Sequence, residues 1–285
     1  MDNFEFEPSS PKETARPPSF HLDANLANTF TFASHQNSIP VIRSIRIENA
    51  TSETVQNVRL ELTASPAFLR AKTWVIDRIN AGDDVVLSDR RIDLDPAYLA
   101  GLTEAERGDI TLRLVKGEQL LAETIAPVRL LARDEWGGVA DMGQLLPAFV
   151  MPNDPAIVRL LRSAAEKLAA HGHSSALDGY QSSDPKRAYM LTASVYAAIA
   201  SLGVYYAQPP ASFERNGQKI RKPKAIVENG LATCLDTSVL FAAALEAAGL
   251  HSVVIMLDGH AITAVWLVKR TLPKTQETDI TELRK

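Results

Sequence analysis

Apolar and polar residues alternate through most of the first half of the chain, which is the period of half-buried β-strands. Val58, Leu60 and Leu62, for example, fall on one face of one such run. Glycine and aspartate punctuate the runs, as in the turn signal Gly82–Asp84. Several short strands separated by such turns are typical of antiparallel β-sandwiches. We therefore expect an immunoglobulin-like β-sandwich over residues 21–133.

The period changes from two to that of a helix after residue 134. Asp154-Pro155 and Asp184-Pro185 each place an N-cap before a proline at the first helical position. A third, Ala-rich helix is predicted to begin at Thr233 or Cys234. Two apolar strands, separated by the turn residues Asp258-Gly259, follow it. Helices followed by a hairpin predict an α+β domain over residues 134–285.

The two ends of the chain differ from this pattern. Residues 1–20 contain repeated prolines with acidic residues between them, which is typical of an extended, disordered leader. Residues 272–285 are polar and charged. We expect them to lead into a further segment, so that the chain is a piece of a longer protein and its second domain is truncated at the C-terminus.

Composition narrows the class of protein. The net charge is −4 and the pI is about 5.9, so nucleic-acid binding by this chain itself is not indicated. The start of the chain lacks the basic and apolar regions of a signal peptide, and no apolar run reaches the roughly 18 residues that span a bilayer. The single cysteine makes no internal disulfide. We expect a cytoplasmic protein without membrane contact.

The candidate chemistry lies at Cys234 and His260. Cys234 opens the third helix, whose N-terminal end favours a thiolate. His260 opens the second strand of the hairpin and is placed to accept the thiol proton. Backbone N–H groups at the helix start would then stabilise an oxyanion, and the reaction would pass through a thioester. The alternative is that Cys234 is a buried packing residue, as free cysteines often are, and that His260 is an ordinary satisfied core or surface histidine.

Two other features are open to a functional interpretation. His171 and His173 lie two residues apart, but at a glycine-broken helix end a solvated C-cap is favoured over a metal site. The basic stretch Lys219–Lys224 is either a solvated loop or a surface for an acidic ligand or nucleic acid. No phosphate-binding loop is present, so we predict no nucleotide, metal or other cofactor.

Several motifs together resemble one family. These are the segments Asp134-Glu135-Trp136-Gly137-Gly138, Leu177-Asp178-Gly179-Tyr180-Gln181-Ser182, Pro209-Pro210-Ala211-Ser212-Phe213, Gly230-Leu231-Ala232-Thr233-Cys234-Leu235-Asp236 and Gly259-His260-Ala261 with Trp266. The cysteine and histidine motifs resemble the transglutaminase-like superfamily of papain-like folds. The whole set resembles a bacterial domain of unknown function at the N-terminus of very large superfamily-one helicase-like proteins, often associated with anti-phage defence.

The resemblance implies a transglutaminase-like, papain-like cysteine-protease fold with Cys234 as nucleophile and His260 as base. The acid that orients the imidazole would follow the histidine strand, where Asp279 is a weak candidate. Asn229 and Gln181 are candidate oxyanion donors. Asp236 is expected to act as a helix-start acid rather than as the orienting residue.

Two functions follow from these observations and stay open at the level of sequence. The first is cysteine-dependent acyl transfer or proteolysis on a protein or peptide substrate. The second is a catalytically inactive binding or scaffold module that recognises a protein or nucleic-acid partner for the downstream helicase region. In either case, contact with nucleic acid is expected only through that helicase region.

Overall fold

The computed structural model describes residues 19–283, so nearly all of the predicted leader lies outside the described residues. The strands are β1 Phe20–Leu26, β2 Thr29–Phe30, β3 Ile42–Asn49, β4 Val55–Ser65, β5 Lys72–Ile79, β6 Asp84–Val86, β7 Glu106–Lys116, β8 Gln119–Leu130, β9 Glu135–Trp136, β10 Tyr205–Tyr206, β11 Gln218–Lys219, β12 Leu231–Ala232, β13 Ser252–Leu257 and β14 His260–Val265. The α-helices are α1 Phe32–Gln36, α2 Pro96–Gly101, α3 Gly138–Met142, α4 Pro155–Ala170, α5 Pro185–Ala200, α6 Phe213–Asn216, α7 Pro223–Asn229 and α8 Cys234–Ala247. Two 3₁₀ segments, Gly143–Phe149 and Ile280–Leu283, complete the described elements.

The fold is mixed α+β, and the chain divides into two compact units. The first contains the described residues up to Ala27 together with Pro40–Ile92 and Asp109–Ala126. The second contains Asn28–Ile39, Asp93–Gly108 and everything from Pro127 onward. The sequence prediction placed a single boundary at residue 133. The difference arises because two early segments belong with the second unit, and a local pattern does not report such long-range contacts.

The first unit is built from antiparallel strands. β3 pairs with β1 on one side and with β6 on the other, and β4 pairs with β5 and β7. Val58, Leu60 and Leu62 are each 0% exposed, which confirms that they share one buried face of β4. The two-residue period thus positions apolar side chains as predicted. The pairing of strands within each sheet is observed. An immunoglobulin-like arrangement of these sheets stays a prediction.

The second unit is organised around α8. Its core is a cluster of small and branched apolar side chains from α4, α5 and α8, namely Ile157, Leu160, Ala164, Leu168, Ala188, Leu191, Val195, Leu240, Ala243, Ala244 and Leu245. The hairpin of β13 and β14 packs on the same helix, where Thr263 Oγ1 donates a 2.8 Å hydrogen bond to the Ser238 carbonyl. No helix among residues 19–283 has the length and apolar content needed to cross a bilayer.

The helix boundaries follow the capping signals. The carboxylates of Asp154 and Asp184 accept backbone N–H groups at the starts of α4 and α5, and a proline follows each. His171 is the C-cap of α4, and its Nδ1 lies 2.9 Å from the Lys167 carbonyl oxygen. This confirms the C-cap interpretation of that histidine.

Candidate active site

Thr233 and Asp236 fix the start of α8 through a reciprocal pair of hydrogen bonds. Thr233 Oγ1 accepts the Asp236 N–H at 3.2 Å, and Asp236 Oδ2 accepts the Thr233 N–H at 2.9 Å. Cys234 is therefore the first helical residue, with its thiol beside the N-terminal N–H groups. The prediction that α8 begins at Thr233 or Cys234 is confirmed.

Asp236 also binds a second segment of chain. Its carboxylate is 0% exposed, accepts the backbone N–H of Arg221 at 2.8 Å and lies 2.7 Å from Arg221 Nη1. With these contacts made, the carboxylate acts as a cap and an ion-pair partner. This agrees with its predicted role as a helix-start acid.

Cys234 lies in an apolar environment. The residue is 4% exposed and belongs to a buried cluster whose other members include Trp136, Phe213, Leu235, Val239 and Ala261. A buried free thiol among such side chains behaves as a small apolar group. A substrate carbonyl would reach this sulfur only after neighbouring side chains moved.

Tyr206 is the polar side chain next to the thiol. The parallel pairing of β10 with β12 places Tyr206 opposite Ala232, two residues before Cys234. Its hydroxyl lies near the Cys234 thiol. Loss of hydration, and then the nearby thiol, raise the pKa of Tyr206. A two-residue strand pair leaves no periodic signal, so this tyrosine was not predictable from the sequence.

His260 lies on the face of β14 that points away from α8. Ala261 is 3% exposed and packs in the cluster that contains Cys234, and Thr263 binds the α8 backbone. Because side chains alternate along a strand, His260 projects to the opposite face, where it is exposed and paired with Leu257. Among residues 19–283, the imidazole makes no hydrogen bond or ion pair. The two predicted dyad residues thus share one end of the helix–hairpin unit, but their side chains are on different faces.

Within residues 19–283, the other predicted site residues make no hydrogen bond to the thiol. Asp279 is exposed, and its carboxylate accepts hydrogen bonds from the N–H and hydroxyl of Thr281, at 2.9 and 2.7 Å. Gln181 is exposed and lines a surface cavity with Ala247, Ala248 and Gly249, at the far end of α8. That end is about 20 Å from Cys234 at 1.5 Å per residue. Asn229 is exposed at the C-terminus of α7.

Gln218 is a buried polar residue that the sequence did not reveal. Its Nε2 donates to Thr233 Oγ1 at 2.8 Å, and within the described part of the chain its buried Oε1 has no partner. The pairing of β11 with β9 places Gln218 opposite Trp136. The close approach of these strands depends on Gly217, which has φ +83° and where any side chain would collide with the Trp136 carbonyl.

The basic stretch predicted as a candidate surface is largely used within the chain. Lys219 binds the carbonyl of Thr103 and the carboxylate of Glu104, and Arg221 is paired with Asp236. Lys224 lies 3.8 Å from Glu228. Intramolecular pairing of these three cations leaves little charge for phosphate groups.

A cavity of about 1020 Å³ lies elsewhere in the second unit. It runs beside β13 and is bounded by the 3₁₀ segment Gly143–Phe149 and by residues 271–283. The side chains of Cys234 and His260 are not among its lining residues.

No protein-family model matches the chain, and no curated protein is significantly similar to it.

Proposed function

We propose that this chain is a recognition module for a protein or peptide partner, built on a transglutaminase-like core within a larger helicase-like protein. In this proposal Cys234 is a packing residue and the Cys234–His260 pair is inactive. The observation that supports this proposal is which side chains of β14 are buried. Ala261, rather than His260, faces the cluster that contains Cys234.

In a cysteine dyad, the side of the strand on which the histidine lies decides whether it can deprotonate the thiol. A general base must come within about 2.6–3.2 Å of the group that it deprotonates. An imidazole on the solvent face of β14 is separated from Cys234 by the strand itself. Asp279, whose carboxylate is bonded to Thr281, does not orient the ring either. The helix start then provides a stable core position for a thiol without a base.

A second candidate function, cysteine-dependent acyl transfer, is favoured by one observation. Cys234 occupies the first position of a well-capped 14-residue helix, and the Tyr206 hydroxyl lies beside its sulfur. A helix N-terminus stabilises a thiolate, and its N–H groups are suited to an oxyanion. Under this alternative, β14 would rearrange to bring His260 to the thiol.

The rate of Cys234 alkylation by iodoacetamide, measured from pH 6 to pH 10, separates the two candidates. Because Cys234 is the single cysteine, the adduct reports on it alone. We expect the profiles of wild type, His260→Ala and the exposed control His173→Ala to superimpose. A loss of roughly tenfold or more near neutral pH, confined to His260→Ala, would overturn the recognition proposal and favour catalysis.

A further inference from the structure

One edge of β13 is unpaired and lies along the cavity. Within residues 19–283, β13 has β14 as its only strand partner. Seven consecutive residues, His251–Leu257, line the cavity. Alternate side chains of a strand point to opposite faces, so a cavity lined by every residue in turn runs along the strand's backbone edge. The unpaired N–H and C=O groups of such an edge are suited to another extended chain.

One wall of the cavity is apolar. It is formed by α3 and the 3₁₀ segment, which contribute Val139, Leu146, Pro147 and Val150. The six residues of β13 are about 20 Å long. The cavity therefore offers an extended segment both backbone partners and apolar contacts along this length.

The charged groups of the cavity are mostly acidic. Glu246, Glu277 and Asp279 line it, against the single lysine Lys274. The N–H groups of Asp279 and Thr278 hold the pKa of Glu277 below its ordinary value, and Thr281 does the same for Asp279. Both carboxylates are thus ionised near neutral pH, and they attract a cationic partner.

Residues 271–283 form a strap that lines the cavity together with β13 and the 3₁₀ segment. The side chain of Gln276 packs on Gly143, where a Cβ would collide with its carboxamide. Arg270 Nη2 donates to the Glu282 carbonyl at 3.4 Å. The strap carries Glu277 and Asp279, so these contacts hold both residues at the cavity.

We propose that this cavity binds an extended peptide that adds to the free edge of β13, with apolar side chains on the α3 wall and basic side chains on the strap. The proposal rests on the recognition role proposed above and names the chemistry of its partner. Alternation of apolar and basic residues matches the two-residue period of a strand, since the two sets then face different walls.

Fluorescein-labelled nonapeptides test this proposal by fluorescence anisotropy. Three probes are compared: one alternates valine with lysine, the second replaces each lysine by glutamate, and the third is the lysine peptide N-methylated on alternate amides. We expect the lysine peptide to bind roughly tenfold or more tightly than the other two, because glutamate repels the strap and N-methylation blocks strand pairing. The amides of Ser252, Val254 and Met256 point away from β14, and their hydrogen exchange is expected to slow when the peptide binds.

Protein variants provide the matched comparison. Glu277→Gln combined with Asp279→Asn is expected to weaken binding of the lysine peptide severalfold, whereas the exposed control Glu228→Gln leaves it unchanged. Gly143→Ala, which displaces Gln276, is expected to weaken binding as well, and Gly101→Ala, which meets no neighbouring atom, is its control.

Equal binding of all three probes, absence of binding, or exchange protection outside β13 would each overturn the peptide proposal. Self-association through the β13 edge, seen by sedimentation and competed by no probe, would overturn it too. The alkylation experiment is independent of these results. A catalytic Cys234 with a peptide bound at β13 would overturn only the proposed inactivity of the thiol.

Discussion

Asp236 shows how a single residue can suggest chemistry and perform a structural task. It lies two residues after the only cysteine, where a reader of the sequence looks for a catalytic acid. In the structure its buried carboxylate accepts the N–H groups of Thr233 and Arg221 and pairs with the Arg221 guanidinium. The capping pattern was sufficient to predict its helix-start role. The contact with Arg221 was not predictable, because it joins segments that share no local pattern.

Replacing Asp236 by Ala should destabilise the second unit strongly. The change removes the cap of α8 and leaves the Arg221 guanidinium without its buried partner. We expect a loss of about 3 kcal/mol in the free energy of unfolding, measured by urea denaturation. Asp258→Asn, in the exposed turn before β14, is the control and should change it by less than about 0.5 kcal/mol. A similarly small loss for Asp236→Ala would contradict the described network.

At the scale of elements, the sequence predicted the helix starts and the hairpin but not the orientation of the hairpin's side chains. Proline, aspartate and threonine at a helix start act on neighbouring residues, so the starts of α4, α5 and α8 could be predicted from the sequence. The run His260–Val265 has apolar residues on both faces, Ile262 and Ala264 on one and Ala261 and Val265 on the other. Such a run does not reveal which face is buried. The packing of β14 on α8 decides on which side of the strand His260 lies. This packing is known only from the structure.

Arg187 provides a test of how a loop is held to a helix. It is 8% exposed at the start of α5, where its guanidinium binds Asp178 Oδ1 at 2.8 Å and the carbonyls of Ser174 and Ala176. A lysine ammonium cannot reproduce this fork. We expect Arg187→Lys to cost about 2 kcal/mol by urea denaturation.

The control for that change is Arg162→Lys on the exposed face of α4. Arg162 pairs with Glu166 one helical turn away, and both side chains are largely exposed. Exposed pairs contribute little, so this substitution should change the unfolding free energy by less than about 0.5 kcal/mol. Equal effects at both positions would show that the loop does not depend on the Arg187 fork.

At the scale of the whole molecule, the interleaving of the two units was beyond the sequence. Residues 28–39 and 93–108 lie within the predicted β-domain but belong with the second unit. Alternation and capping report on a few neighbouring residues, whereas this division depends on contacts between distant segments. The same limit applies to the cavity beside β13, which combines residues from 136 to 283.

Stability as a function of pH should carry the signature of Glu246, which lies at the rim of that cavity with His251 nearby. Although Glu246 is exposed, the loss of part of its hydration beside the cavity raises its pKa above the ordinary value of 4.5. Folding therefore penalises the ionised form, and wild type loses stability relative to Glu246→Gln as pH rises through the raised pKa. We expect the melting temperature of the variant to exceed that of wild type by a small margin near pH 8, and the margin to vanish near pH 4. A pH-independent difference would contradict the assignment.

The most direct test of the central claim is the ¹H–¹³C NMR spectrum of the histidine rings in wild type and in Cys234→Ser. The His260 signals are assigned by their loss in His260→Ala. Because His260 lies on the opposite face of β14 from the thiol, its ring signals are predicted to coincide in the two proteins across the pH range. A displaced His260 signal in Cys234→Ser, with the other histidine signals unchanged, would place the imidazole beside Cys234 and contradict the account.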